Sequence, residues 1–187
     1  MNVKNPHLQQ IYTGLEHIKT EMDVFLKTLN LPQLCWKPTP EKWSIADCLD
    51  HLLITDTLYF EKLNAAIEYA KQHNIREKTA YKPTLVGAFF VKAVQPGSRV
   101  KLKAPSLFKL STEPAQVPAK FIAHESQFQQ IIETLDGLDI NRLKISTPLT
   151  PLIRFSVGDA VHMLYVHQQR HIQQAQALTR MSAFPQA

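Results

Sequence analysis

The stretch FSVGDAVHMLYVHQQRHIQQ, residues 155–174, has the pattern of a long amphipathic helix. Ser156 is a favourable N-cap, and Asp159, three residues later, resembles the acidic half of a capping box. Apolar residues then recur at helical spacing, and the stripe that they form includes His167 and His171. Because residues four apart stack on one face of a helix, both rings are predicted to lie in the middle of the buried stripe.

Three further segments have the apolar periodicity of amphipathic helices. They cover about residues 6–29 and 44–73, and a third begins between 114 and 118 and ends near 137. Strand signals are too sparse for an α/β sheet. The sequence therefore predicts an all-α protein, a four-helix bundle formed by a single domain over residues 1–187.

A long crossover, residues 74–112, joins the second and third predicted helices. Within it, PTLVGAFFVKAVQP is predicted to form a short helix. The following RVKLKAPSLFKL alternates basic and apolar residues, which is typical of an extended segment at the surface. Connections of this length usually carry function or structure of their own.

The composition limits the classes of partner and the cellular compartment. The chain of 187 residues has a formal charge of +5, but its basic residues are scattered, so a nucleic acid partner is not expected. No apolar run is long enough for a membrane span, and the first twenty residues lack a leader-like apolar core, so we expect a cytoplasmic protein with no membrane partner. The two cysteines, Cys35 and Cys48, are expected to be reduced.

Periodicity selects three histidines that are predicted to meet inside the bundle. His51 lies centrally on the second helix, and His167 and His171 lie on the last. Three neutral imidazoles suit zinc, nickel or another divalent cation and leave a position for water or substrate. The alternative is that these are ordinary buried or surface histidines. Cys48 lies within reach of such a site, although a small buried hydrophobic side chain is the commoner role.

Further histidines and acids are weaker candidates. His162 is predicted to face solvent, and His124 lies at the edge of the third helix's apolar stripe. Asp47 either orients His51 or, as we favour, caps its own helix. Glu61 and Glu125 are alternative general bases that no spacing singles out.

Two other side chains have open roles. Arg170 either binds a substrate carboxylate or, more commonly for such a residue, pairs with an acid of a neighbouring helix. Trp43 is expected to anchor the core rather than to stack on a substrate.

Two motifs resemble the DinB-like family of metalloenzymes. KWSIADCLDHL, residues 42–52, is similar to the tryptophan-serine motif before that family's first metal histidine, and residues 155–174 are similar to its closing helix. The resemblance implies a bundle in up-down-down-up order, often dimeric, and it places the family's metal ligands at His51, His167 and His171. It also implies hydrolysis or transfer reactions that use a low-molecular-weight thiol cosubstrate.

These observations predict a metal-dependent enzyme, a thiol-dependent S-transferase or hydrolase that acts on a small molecule and forms a homodimer. No catalytic residue beyond the metal ligands is assigned. The alternative is a non-catalytic, metal- or ligand-binding helical bundle that acts through dimerisation.

Overall fold

The computed structural model describes residues 3–100 and 111–186. This part of the chain is mostly helical and carries one small antiparallel sheet. A short 3-10 turn, Pro114–Gln116, precedes the fifth helix. The elements are α1 (Pro6–Lys27), α2 (Leu31–Cys35), α3 (Ile45–Gln72), α4 (Leu85–Val94), α5 (Val117–Leu135), β1 (Lys144–Thr147), β2 (Thr150–Ser156) and α6 (Val157–Leu178).

The four long predicted helices are confirmed as α1, α3, α5 and α6. Each of α1 and α3 packs against both α5 and α6. Their apolar stripes bury two clusters, one around Leu15, Phe128 and Leu164 and the other around Leu49 and Phe121. This packing places the first half of α3, around residues 51–56, beside the middle of α6.

Serine capping boxes begin both helices that carry candidate site residues. Ser44 Oγ accepts from the Asp47 amide at 3.1 Å, and Asp47 Oδ2 accepts from the Ser44 amide at 3.0 Å. Ser156 and Asp159 form the same reciprocal pair at the start of α6. These bonds satisfy amides that the first turn leaves without helical partners, so each start position is defined locally.

The predicted short helix in the crossover is confirmed as α4, which packs on α6. The buried carboxylate of Asp159 holds it there by accepting bonds from Tyr81 Oη and Thr84 Oγ1, both at 2.8 Å. A side chain at Gly87 would overlap Asp159, so glycine permits this close approach. Most of the predicted extended segment, residues 101–110, lies outside the described residues.

The prediction missed a β-hairpin that leads into α6. Strand β1 pairs antiparallel with β2, and Ile145 lies opposite Phe155. Thr147 closes the turn, because its hydroxyl donates to the Thr150 carbonyl at 3.1 Å. Most of β2 is exposed and only its last two residues are buried, so the strand lacks the alternation by which it would be recognised.

Candidate metal centre

The structure brings together the three histidines selected from the sequence. His51 projects from α3, and His167 and His171 project from α6 one turn apart. Their candidate ligand nitrogens all lie within 4.8 Å of one another. We call these residues the histidine triad. Their convergence is a feature of the structure, and their role as metal ligands stays a prediction.

The spacing inside the histidine triad suits a shared cation. The Nε2 atoms of His167 and His171 lie 3.1 Å apart. Two imidazole nitrogens bound to one tetrahedral ion at roughly 2.1 Å would lie about 3.4 Å apart. Neutral nitrogen donors of this kind suit zinc, nickel or a similar divalent ion. The donor set therefore fits the group that the sequence predicts.

Burial keeps the triad in the form that binds metal. It lowers the pKa of His171 to about 3 and lowers the pKa of His167 well below its ordinary value. Burial also lowers the pKa of His51, although the negative charges of Asp56 and Asp50 oppose that shift. All three rings are therefore neutral at pH 7, and no proton must be removed before a cation binds.

Neighbouring side chains orient the triad. Gln174 Oε1 lies 3.2 Å from His171 Nδ1, which leaves Nε2 of that ring to face His167. The Trp43 indole packs with its ring centroid 4.9 Å from that of His51 and 5.4 Å from that of His171. Trp43 also packs against the core, as predicted, but its contact with two triad rings was not foreseen.

The triad is not sealed from solvent. His51 and His171 are 7% and 8% exposed, whereas His167 retains intermediate exposure. The remaining exposure of the triad therefore lies mainly at His167, while the other two rings are in a low-dielectric environment.

Asp47 and Arg170 have structural roles. Asp47 completes the capping box, which confirms the capping interpretation. It also forms an ion pair with Lys37, in which Oδ2 and Nζ lie 2.6 Å apart. Arg170 Nη1 donates to the Ala93 carbonyl at 3.1 Å at the end of α4. It therefore ties the crossover to α6, a role that neither sequence interpretation anticipated.

Cys48 behaves as a small hydrophobic side chain. It is fully buried, and burial raises the pKa of its thiol to about 12, so the metal-binding thiolate is disfavoured. Among the residues that the structure describes, the group able to hold a metal contains the three histidines without Cys48.

His162 was predicted to face solvent, and that prediction is wrong. Its ring is partly buried, with its centroid 5.3 Å from that of His7, and burial lowers its pKa. The start of α1, through His7, and the segment before α4, through Tyr81, cover this side of the helix. A helical wheel of α6 alone cannot show that covering.

A set of four buried polar residues lies next to the triad, and their meeting was not predicted from the sequence. Gln168 Nε2 donates to Asp56 Oδ2 at 2.8 Å and to Glu125 Oε1 at 2.9 Å, and all three residues are 0% exposed. His124 Nε2 lies 3.4 Å from Asp56 Oδ2. We call these four residues the carboxylate cluster. Burial, reinforced by Asp56, raises the pKa of Glu125 well above its ordinary value.

The comparison with protein families confirms the resemblance that the two sequence motifs indicate. The model of the DinB superfamily matches residues 15–175, which is most of the chain. The chain belongs to the DinB superfamily. No curated protein and no solved structure gives a significant match. Over residues 3–100 and 111–186, no helix of this DinB-superfamily protein has the length and apolarity needed to cross a bilayer.

Proposed function

We propose that this DinB-superfamily protein is a metal-dependent enzyme, a thiol-dependent S-transferase or a hydrolase, that acts on a small molecule. The histidine triad would hold the divalent cation, with zinc or nickel as the best match to three imidazoles. The observation that carries the proposal is the convergence of three neutral, mostly buried rings, of which His167 keeps partial exposure.

A bound divalent cation would supply Lewis acidity, favouring the deprotonated form of a water molecule or of a low-molecular-weight thiol cosubstrate. The protein's own side chains prepare the site. Gln174 fixes the orientation of the His171 ring, and the Trp43 indole excludes water from one side of the triad. Asp47 and Glu125 are both engaged in structural hydrogen bonds, so we assign neither as the general base.

The family membership also supports finer proposals about architecture and location. We propose that residues 1–187 form one domain, with α1, α3, α5 and α6 in the up-down-down-up order of DinB-like bundles. A cytoplasmic location without nucleic acid or membrane partners remains a prediction from the composition.

The decisive experiment combines metal analysis with an activity screen. Full-length protein purified without chelators is expected to contain about one equivalent of zinc or nickel and to act in a screen of thiols with electrophiles and hydrolysable esters. His167→Ala is expected to lose both properties. His162→Ala, on the same helix but outside the triad, serves as the matched control. Metal retained in His167→Ala would contradict the proposal.

The second candidate is a non-catalytic bundle that acts through dimerisation. The observation favouring it is a set of exposed apolar side chains on α4 and the adjoining hairpin, with Leu85 93%, Phe89 64% and Leu152 90% exposed. Contiguous exposed apolar surface usually marks a contact with another molecule.

Light scattering coupled to size exclusion tests this candidate. A dimer that Phe89→Asp converts to a monomer, in a protein without metal or activity, would favour it over the enzyme. A homodimer that also retains its metal and activity would instead favour the enzyme, with dimerisation as its assembly state.

A further inference from the structure

A groove between α3 and α5 lies outside the histidine triad and is assigned no role by the proposed enzyme. It is open to solvent and has a volume of about 490 Å³. This volume falls within the range of small-molecule sites, roughly 300–1,000 Å³. Its lining comes from the outer faces of the two helices and from the chain just before α5: Leu53, Ile54, Thr57, Leu58, Thr112, Lys120, Ala123, His124 and Gln127.

The lining divides into an apolar wall and a polar edge. Leu53, Ile54 and Leu58 form the wall on α3, whereas Lys120 and Gln127 contribute polar groups from α5. None of the described lining residues is acidic. Within residues 3–100 and 111–186, Lys120 also forms no salt bridge, so its charge is available to a ligand.

One polar side chain of the lining, His124, is buried and packed against an aromatic ring. His124 is 7% exposed, and its ring stacks on Phe60 with the centroids 4.6 Å apart and the planes 11° apart. Its Nε2 lies 3.4 Å from the Asp56 carboxylate, which is itself completely buried and is not part of the lining. The groove therefore has a buried polar residue among its apolar walls, as small-molecule sites commonly do.

We propose that this groove binds a small amphipathic anion, a carboxylate that carries an apolar chain. Lys120 faces the carboxylate, because it is the cation of the lining. The leucine and isoleucine side chains of α3 cover the apolar chain, whose transfer from water supplies most of the binding free energy. A neutral ligand of the same shape lacks the attraction to Lys120 and binds less tightly.

The test uses octanoate as the probe and octan-1-ol as its uncharged counterpart, titrated into the full-length protein by ¹H–¹⁵N NMR. We expect saturable shifts at the amides of Thr57, Ala123 and Gln127, with a dissociation constant of about 1 mM or less for a ligand of this size. Octan-1-ol is expected to bind several-fold more weakly.

Two variants and a control locate the binding. Lys120→Gln, at an exposed position, should weaken octanoate binding about three- to fivefold, the size expected for a solvent-exposed charge contact. Ala123→Trp should fill the groove and abolish binding. Lys78→Gln, an exposed cation elsewhere, should leave the affinity unchanged.

Binding of octanoate by a cation in the triad must be distinguished from binding in the groove. In His171→Ala, groove binding persists with the same affinity, whereas carboxylate binding at the triad disappears. The proposal is overturned if the shifts vanish in this variant, if octanoate and octan-1-ol bind equally, or if Lys120→Gln has no effect. Because the proposed enzyme is judged by metal content and turnover, either proposal can fail without the other.

Discussion

The histidine triad and the carboxylate cluster meet at α6, which contributes residues to both. They differ in the exposure and in the chemistry of their members. The triad consists of three like groups, and one of them, His167, keeps some exposure. The carboxylate cluster joins unlike groups, and its Gln168 donates to Asp56 and Glu125, all three of them 0% exposed. Three nitrogen donors at this spacing suit an added cation, whereas the complementary amide and carboxylate groups of the cluster hold three helices together. We therefore expect the triad to serve ligand binding and the carboxylate cluster to serve stability.

The largest effect is expected from breaking the carboxylate cluster with Asp56→Ala. The change removes one of the two buried acceptors of Gln168 Nε2 and the carboxylate that lies 3.4 Å from His124 Nε2, so we expect a loss of about 3 kcal/mol in the free energy of unfolding. Urea denaturation measures this loss. Metal content per folded molecule should stay unchanged, since Asp56 is not in the triad.

Asp23→Ala provides the matched control for this substitution. Asp23 pairs with Lys27 at 2.6 Å on the exposed face of α1, and its loss is expected to cost less than about 0.5 kcal/mol. Equal effects of the two substitutions would show that the carboxylate cluster has no special part in stability.

The next effect is expected at the triad when zinc is added to metal-free protein. At a free zinc concentration of about 100 times the dissociation constant, binding to the folded state stabilises it by about 2.7 kcal/mol. Thermal unfolding with and without zinc measures the shift, and His171→Ala should show little of it. An undiminished shift in that variant would place the binding elsewhere.

The metal-free triad should also make stability depend on pH. Burial lowers the pKa of each ring from 6.5, to about 3 for His171. Between the folded and unfolded values the unfolded chain binds more protons, so stability is present above pH 6.5 and falls as the pH is lowered.

We expect the three rings together to cost about 2 kcal/mol between pH 6.5 and 5.5. Urea titrations at several pH values in the presence of a chelator measure this loss, and His171→Leu should make the dependence shallower. A variant as pH-sensitive as the natural chain would contradict the assigned shift.

The smallest effect is expected for Glu125→Gln in the carboxylate cluster. Burial and the neighbouring Asp56 raise the pKa of Glu125 well above its ordinary value, which favours a protonated carboxyl group. An amide of the same shape still accepts from Gln168, so the loss should be under about 1 kcal/mol by urea denaturation. A loss as large as that of Asp56→Ala would mean that Glu125 is ionised in the folded protein.

The triad was predictable because its pattern is local. His167 and His171 follow one another at i and i+4, and His51 lies on an apolar stripe of its own helix, so periodicity alone selects them. The carboxylate cluster was not predictable in this way. Asp56, Glu125 and Gln168 come from three helices, and each is one polar residue without a repeating partner in the sequence.

The same limit applies to residues near the triad. Arg170 contacts a main-chain carbonyl at the end of α4, and no residue type marks such an acceptor in advance. Trp43 contacts two triad rings because α3 and α6 are adjacent, which its position before the Ser44 cap does not reveal.

By itself, the sequence determined the four long helices, their serine caps and the three histidines, because helical period and capping act over a few residues along one chain segment. Tertiary structure decided which faces of α3, α5 and α6 meet. It thereby created the carboxylate cluster, the wall that Trp43 forms and the groove beside His124. These features depend on burial and on distances between segments far apart in the chain, and only packing sets those quantities.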